Sequence, residues 1–377
     1  NVVALLDAGN TIPFITRYRK ERTGGLDEET IRQIQQRVAS LRALAERRRT
    51  VLRSIAAQGR LTQELRAAIE AADTLKRIED LYLPYKPKKR TLATVARDRG
   101  LEPLALAVWN DADWARDLEQ AARALIDPEK ELHSVEDVLV GVGHIIAENL
   151  AEDADVRESV RAVVWKTGRL IGSKVDGVPD EKAQPFRDYF EYKEKLGRVP
   201  PHRVLALNRG ERVGALKVRL EIDQGAAREA IFAHLPGPDH SHAERLRNYA
   251  LDGLNRLLLP SLEREVRREL SERAEEHATR VFARNLRSLL LQPPVRGQRV
   301  LAIDPGFRTG CKLAALDQFG NVLAHAVIYP HEGHGRRQEA KQTLARLIQQ
   351  HALTVVAIGN GTACRQTEEL VAELIGE

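Results

Sequence analysis

Val300-Leu301-Ala302-Ile303-Asp304-Pro305-Gly306-Phe307-Arg308-Thr309-Gly310 is an apolar strand that delivers one carboxylate into a glycine-rich turn. Cys311–Leu316 reads as a second strand, Asp317–Asn321 as a turn and Val322–Tyr329 as a third strand. A helix is expected over Arg336–His351. Thr354–Ile358 is a short apolar run, and Gly359-Asn360-Gly361-Thr362 opens a last helix. Three antiparallel strands, a crossover helix and a parallel fourth strand therefore follow one another, and the βαβ step is expected to be right-handed.

This is how a ribonuclease-H-type α/β fold begins, so residues 297–377 are expected to form such a domain. It is expected to be incomplete, because the sequence ends at Glu377 before the fold's fifth strand and last helix. Hydrolysis on this fold needs several acidic residues around paired divalent cations. One Asp cannot supply that. The end of the fourth strand, where a second acidic ligand usually sits, reads Ile358-Gly359-Asn360-Gly361, with a neutral amide in place of a charge. Asp304 is therefore expected to be a turn residue, catalytic only if a metal site is intact; no metal and no cofactor are expected. The enzyme alternative is a metal-dependent ribonuclease-H-like nuclease similar to Holliday-junction resolvases.

At 377 residues the chain suffices for two or three domains with real cores. No apolar run approaches the roughly 20 residues needed to cross a bilayer, and Asn1–Leu6 lacks the pattern of a signal peptide, so a cytoplasmic location without membrane contact is expected. Methionine is absent, the first position included, as expected either of a trimmed chain or of modified methionines left out of the sequence. Two cysteines, Cys311 and Cys364, provide neither a disulfide framework nor a cysteine-rich zinc site. The motif His331-Glu332-Gly333-His334 sits in a predicted loop rather than on a helix, and Asp239-His240-Ser241-His242 is likewise a loop before a helix; both read as polar loops. No dinucleotide or nucleotide fingerprint is present, so no small-molecule substrate is expected.

The charge is unevenly spread. Residues 1–100 hold 21 Lys and Arg against 12 Asp and Glu, residues 101–296 hold 30 against 34, and residues 297–377 hold 8 of each. The basic excess belongs to the N-terminal part, the footprint expected for a polyanion partner. Two segments concentrate it. One is Arg17-Tyr18-Arg19-Lys20-Glu21-Arg22, whose arginines also suit ion pairs inside a helical domain. The other is Tyr82-Leu83-Pro84-Tyr85-Lys86-Pro87-Lys88-Lys89-Arg90, a proline-stiffened loop suited to phosphate contacts and base stacking. Arg17, Arg19, Lys20, Tyr85, Lys86, Lys88, Lys89 and Arg90 are the candidate nucleic-acid-binding residues.

Most of residues 1–296 reads as helix. Ile31, Ile34, Val38, Leu41, Ala45, Leu52 and Ile55 form an inward stripe between Leu26 and Gly59, broken only by Arg48. Shorter helices are expected at Thr62–Ala72, Leu118–Ile126 and Val135–Ala151. A second long helix spans Ser261–Leu291, with Leu262, Val266, Leu270, Ala274, Ala278, Phe282, Leu286 and Leu289 inward and Glu263 paired with Arg267 outward; Pro293 and Pro294 end it. Arg203–Leu207 and Gly214–Ile222 alternate as the arms of a β-hairpin around Asn208–Arg212, and Gly172–Gln184 reads as a linker. The fold expected is a mainly helical scaffold with a β-hairpin, divided into 1–175 and 176–296, followed by the α/β domain at 297–377.

Several blocks resemble one family. Val3–Glu21, Glu79-Asp80-Leu81-Tyr82-Leu83-Pro84-Tyr85-Lys86, Phe282-Ala283-Arg284-Asn285-Leu286, Asp304–Gly310 and Ile358–Ala363 are similar, in order, to the Tex family of bacterial transcription accessory proteins. The resemblance implies a protein that binds RNA, and possibly DNA, works with the transcription machinery and lacks a complete nuclease site. It also implies helix-hairpin-helix elements and an OB-fold RNA-binding domain further along the family's chains. A purely protein-binding helical scaffold is the remaining alternative.

Overall fold

The computed structural model describes residues 1–87, 89–293 and 295–376; Lys88, Pro294 and Glu377, all named above, lie outside the described residues. The chain forms two compact units, Asn1–Val281 and Phe282–Glu377.

In the first unit, α1 (Val2–Asp7), α2 (Ile12–Tyr18) and α3 (Lys20–Thr23) precede the 30-residue α4 (Glu28–Ala57). The Asp27 carboxylate accepts from Thr30 N, and Glu28 and Glu29 complement the positive end of the helix dipole, which sets the start of α4. Its two ends are buried in separate clusters. Ile31 joins Val2, Leu5 and Ile15, whereas Val51 and Ile55 join Ile69 and Ile78 from α5 (Gln63–Ala71) and α6 (Leu75–Tyr82). The inward stripe expected along the whole helix is interrupted between them: Leu41 is 48% exposed and Ala45 is exposed. Amphipathic spacing marks a face that is able to pack, and here the middle turns have nothing to pack on. Arg48, the break in the stripe, donates from Nε to Ile69 O at 3.1 Å and from Nη2 to Ala72 O at 2.8 Å. It thereby satisfies carbonyls left open at the end of α5.

The main core is built by α7 (Leu92–Asp98), α8 (Glu102–Trp109), α9 (Leu118–Arg123), α10 (Val135–Glu152) and α11 (Ala154–Thr167). A capping box between Ser134 and Asp137 starts α10, which buries Val138, Val142, Ile145 and Leu150.

Two expectations fail in the next stretch. It runs β1 (Arg169–Lys174), α12 (Asp180–Ala183), β2 (Glu191–Lys195), α13 (Pro201–Arg212) and β3 (Leu216–Glu221). The strands form an antiparallel sheet in the order β2-β1-β3. Arg203–Leu207 is helix, not the first arm of a hairpin, and Asn208–Arg212 is the last turn of that helix. Pro200 and Pro201 preset a helical start, and Val204 and Leu207, which fit an alternating pattern, also lie three apart on the buried helical face. Gly172–Gln184 is not a linker either. Gly172 sits in the central strand, where a Cβ would come within 2.8 Å of Leu207 Cδ2 and of Tyr189 O; the glycine allows close packing. The division at 175/176 leaves β1 on one side and β2 and β3 on the other.

The unit continues through α14 (Gln224–Phe232), α15 (Ala243–Asp252) and a π-helical turn at Gly253–Leu258 into α16 (Leu259–Leu290). Leu262, Val266, Leu270 and Ala274 are buried as expected, but Phe282, Leu286 and Leu289 are exposed, so the inward stripe covers only the first half of α16. Glu263 and Arg267 do not pair with each other. Glu263 accepts from Leu220 N at 2.9 Å, and Arg267 donates to Glu211 and to Val218 O, so both hold β3 and its neighbour α13.

In the second unit the expected order is found: β4 (Val300–Asp304), β5 (Cys311–Leu316), β6 (Val322–Ile328), α17 (Gly333–His351), β7 (Val355–Ile358) and α18 (Cys364–Gly376). The sheet order is β6-β5-β4-β7, with β7 parallel to β4. Leu301, Ile303 and Leu313 pack against Leu344, Leu347 and Leu370 of the helices. The helix α17 starts three residues earlier than expected, at Gly333.

Three elements far apart in sequence meet at a buried ionic cluster. Asp80 of α6 accepts from Arg157 Nε and Arg161 Nη2 of α11, each at 2.7 Å, and Arg161 Nε donates to Glu265 of α16 at 2.7 Å. Arg157 also donates to Ala151 O, and Lys76 lies 2.6 Å from Glu269 at the margin. Burial pushes the Glu265 carboxyl up, but the Arg161 hydrogen bond and the charges of Arg161, Lys76 and Arg157 outweigh it and hold its pKa below the usual carboxylate value.

Asp80→Ala leaves Glu265 as the one carboxylate facing two buried guanidinium groups and is expected to cost about 3–5 kcal/mol in denaturant unfolding of the first unit, whereas Lys76→Ala, at the rim, costs under about 1 kcal/mol. Equal losses in the two variants would contradict this account. Because the Glu265 pKa is depressed in the folded state, its contribution is complete above the unfolded carboxylate value and is lost as pH falls through the folded one. Glu265→Gln is therefore expected to flatten the acid limb of the stability curve, as read by circular dichroism melts between pH 3 and 7.

Candidate nucleic-acid interface

The first basic segment is displayed by α2. Pro13 starts the helix, Ile15 is its one buried residue, and Arg17, Tyr18 and Arg19 consequently turn outward. The rings of Phe14 and Tyr18 lie 5.3 Å apart, the Arg19 guanidinium is 5.0 Å from the Phe14 centroid, and Tyr18 is 60% exposed. None of Arg17, Arg19, Lys20 and Arg22 has an ion-pair partner among the described residues. The intramolecular ion pairs considered as their role from sequence are not made.

The second segment divides. Leu83–Tyr85 forms a 3-10 turn after α6, and Tyr85 O accepts from Gln58 Nε2 at the end of α4. The Arg60 guanidinium stands 4.8 Å from the Tyr85 centroid, so one ring face is already covered by a cation. Lys86 Nζ is 2.5 Å from Glu79 Oε2, and Glu79 also accepts from Arg47. Burial raises the Glu79 pKa, but the hydrogen bonds from Arg47 and Lys86 and their charges prevail and lower it. Lys86 thus has its charge matched inside the protein. Lys89 and Arg90 are exposed and lack an ion-pair partner among the described residues.

Free cations that the sequence reading passed over lie on or beside α4. Arg32, Arg37 and Arg53 are exposed or half-buried without an ion-pair partner among the described residues, while Arg42 is held by Asp7 and Arg49 by Glu46. Tyr18 is a more open stacking surface than Tyr85. The spacing of these residues was visible, but which of them are satisfied internally depends on tertiary partners.

In the second unit Asp304 ends β4, exposed, with Lys312 as its cross-strand neighbour on β5. Gly359 N donates to Ile303 O at 2.8 Å, which brings the Gly359-Asn360-Gly361 turn against the end of β4. A Cβ on Gly361 would stand 1.9 Å from Pro305 O, so the turn excludes any side chain there. The Asp304 carboxylate itself makes no hydrogen bond or ion pair among the described residues. No group of three or more His, Cys, Asp and Glu able to hold a metal occurs among the described residues. His331 Nε2 lies 2.8 Å from Phe307 O and its ring packs edge-on against Phe307, a loop-closing role. No helix among the described residues is long and apolar enough to cross a membrane.

Three models of one family match consecutive parts of the chain: the Tex-like protein N-terminal domain over residues 1–56, the Tex central region-like part over 113–282 and the Tex protein YqgF-like domain over 298–377. Among curated relatives, the chain is 42% identical to "Protein tex" of Bordetella pertussis, covering 100% of this chain and 49% of that protein. It is 40% identical to "Transcriptional accessory protein Tex" of Neisseria gonorrhoeae, over 99% of this chain and 49% of that protein. It is 34% identical to human "S1 RNA-binding domain-containing protein 1", over 100% of this chain and 38% of that protein. The chain thus spans about half the length, or less, of the curated relatives it matches.

Gly361→Ala forces the turn away from Pro305 and is expected to lower the melting temperature of the second unit, while Asp304→Asn, at an exposed strand end, leaves it within about 0.5 kcal/mol of the parent. A larger loss in Asp304→Asn, restored by added Mg²⁺, would reveal a bound cation at that strand end.

Proposed function

The chain belongs to the Tex family, and on that premise we propose that it is a nucleic-acid-binding scaffold of the transcription machinery that holds RNA, and also DNA, without cutting it. The observation that carries this reading is the set of exposed cations of the N-terminal part that have no ion-pair partner among the described residues: Arg17, Arg19, Lys20 and Arg22 around the exposed ring of Tyr18, and Lys89 and Arg90 beyond the far end of α4. Cations without internal partners gain by releasing counterions from phosphates, and an open aromatic face adds sequence-tolerant stacking. The division into 1–175, 176–296 and 297–377 enters the same proposal as a division of roles rather than of folding units, since one sheet crosses the first boundary, with binding assigned to the first part and support to the second. The relatives' names point to transcription and, in the human protein, to RNA binding.

The nuclease reading has one observation in its favour, the YqgF-like ribonuclease-H topology with Asp304 at the end of β4. Lys312 opposite that carboxylate and the amide of Asn360 argue for a scaffold role.

Binding of fluorescein-labelled single-stranded RNA across a salt series tests the proposal. Lys89→Ala with Arg90→Ala is expected to reduce the slope of log affinity against log salt by about 1.4, at about 0.7 per phosphate contact. Lys86→Ala leaves the slope unchanged and acts on stability through the loss of its pair with Glu79. A slope insensitive to Lys89 and Arg90 would remove that loop from the interface. In the same preparations no Mg²⁺- or Mn²⁺-dependent cleavage of RNA, DNA or four-way junctions is expected; cleavage abolished by Asp304→Asn would establish the enzyme instead.

A further inference from the structure

The two basic segments are fixed at opposite ends of one helix. The first is carried by α2, which docks through Ile15 against Ile31 in the second turn of α4. The second follows Tyr85, which is tied to Gln58 at the C-terminal cap of α4 and faces Arg60. Ile31 and Gln58 are 27 residues apart in sequence, which at 1.5 Å per residue is about 40 Å along the axis. Between these points α4 is continuous helix, and its central turns are exposed. Additional cations lie near the ends, Arg32 and Arg37 near the first and Arg53 near the second, whereas in the middle Arg42 is paired with Asp7, Arg47 with Glu79 and Arg49 with Glu46, and Arg48 is turned onto the carbonyls of Ile69 and Ala72.

We infer that α4 is a spacer that sets two cationic sites about 40 Å apart, so that one stiff polyanion, a nucleic-acid duplex of at least about 12 base pairs at 3.4 Å each, engages both. This rests on the proposed nucleic-acid binding and adds a length requirement to it. A duplex shorter than the spacing contacts one site and is held by a few phosphates. A longer one makes its second contact intramolecularly, which multiplies affinity by roughly 10²-fold without any new type of interaction. Because the cations in the middle of the helix are already engaged inside the protein, the gain is stepwise in length rather than gradual.

The test uses the chain with duplex DNA of 6 to 24 base pairs at one fixed salt concentration. Affinity per end-corrected site is expected to stay low below about 10 base pairs and to rise roughly 10²-fold by about 14 base pairs. Two kinds of variant check the cause. Arg17, Arg19, Lys20 and Arg22 changed to Gln, all exposed, should abolish the step and leave only the weak short-duplex binding. Seven residues of helix-forming sequence inserted between Ala43 and Leu44 keep the helical phase, and the insertion point lies beyond the Asp7–Arg42 pair and before the cluster that Leu44 packs on. The insertion lengthens α4 by about 10 Å and should move the step upward by about 3 base pairs. A smooth rise with length, unmoved by the insertion and present in the charge variant, would overturn the spacer while leaving nucleic-acid binding intact. Absent binding at every length would overturn both.

Discussion

Asp80 receives two arginines and, through Arg161, is joined to Glu265, so that α6, α11 and α16 share one buried ionic cluster. These residues are nearly inaccessible, and taking such charges out of water costs several kcal/mol per ion unless every one is matched. Matching requires all three helices in register at once, because moving any one leaves a charge without a counter-ion. The cluster adds little net stability over an apolar equivalent, yet it penalises every alternative packing of these helices. The segment after α6 inherits its placement from this arrangement: Glu79, one residue before Asp80 and about 100° round the helix from it, collects Arg47 and Lys86. The position of the basic loop is thus a consequence of the ionic core beneath it.

The second unit was the most legible in sequence. Each strand there alternates between a helix-covered face and the other face, and each turn carries a residue suited to it, so order and register follow from local pattern. Arg203–Leu207 was misread for a local reason as well. Arg203, Val204, Leu205, Ala206 and Leu207 satisfy period two and period three equally, and it is the tandem prolines before them that decide for a helix. The stripe on α4 and the second half of the stripe on α16 were misread for a tertiary reason. Spacing shows that a face is able to be buried, and only the arrival of a partner buries it.

Site residues divide along the same line. That residues 1–100 carry the basic excess was evident from composition, as was the clustering at 17–22 and 86–90. Which cations remain available was not, because Lys86 is paired with Glu79 seven residues back, where α6 runs on into the 3-10 turn, and Arg60 reaches Tyr85 from a different loop. The ionic cluster itself was invisible, since Asp80, Arg157 and Glu265 are brought together only by the fold. In the second unit the single carboxylate and the neutral Asn360 were legible, and Lys312 beside Asp304 emerges from the strand register.

The exposed middle of α4 also bears on how the chain opens. Seven arginines and three glutamates lie along this helix, and its central turns bury no large apolar side chain, being held by backbone hydrogen bonds and the exposed Asp7–Arg42 pair, with like charges close by. Its ends are anchored in two clusters that share no residue. The small cluster formed by α1, α2 and the start of α4 is therefore joined to the remainder through a stretch of solvated helix, and it is too small to transmit much cooperativity across it. Melting a few central turns uncouples the first cluster at a cost well below that of global unfolding. Amide protons in the centre of α4 accordingly exchange with solvent through local opening, those of α10 only when the main core comes apart, and the N-terminal helices behave as a separate folding unit.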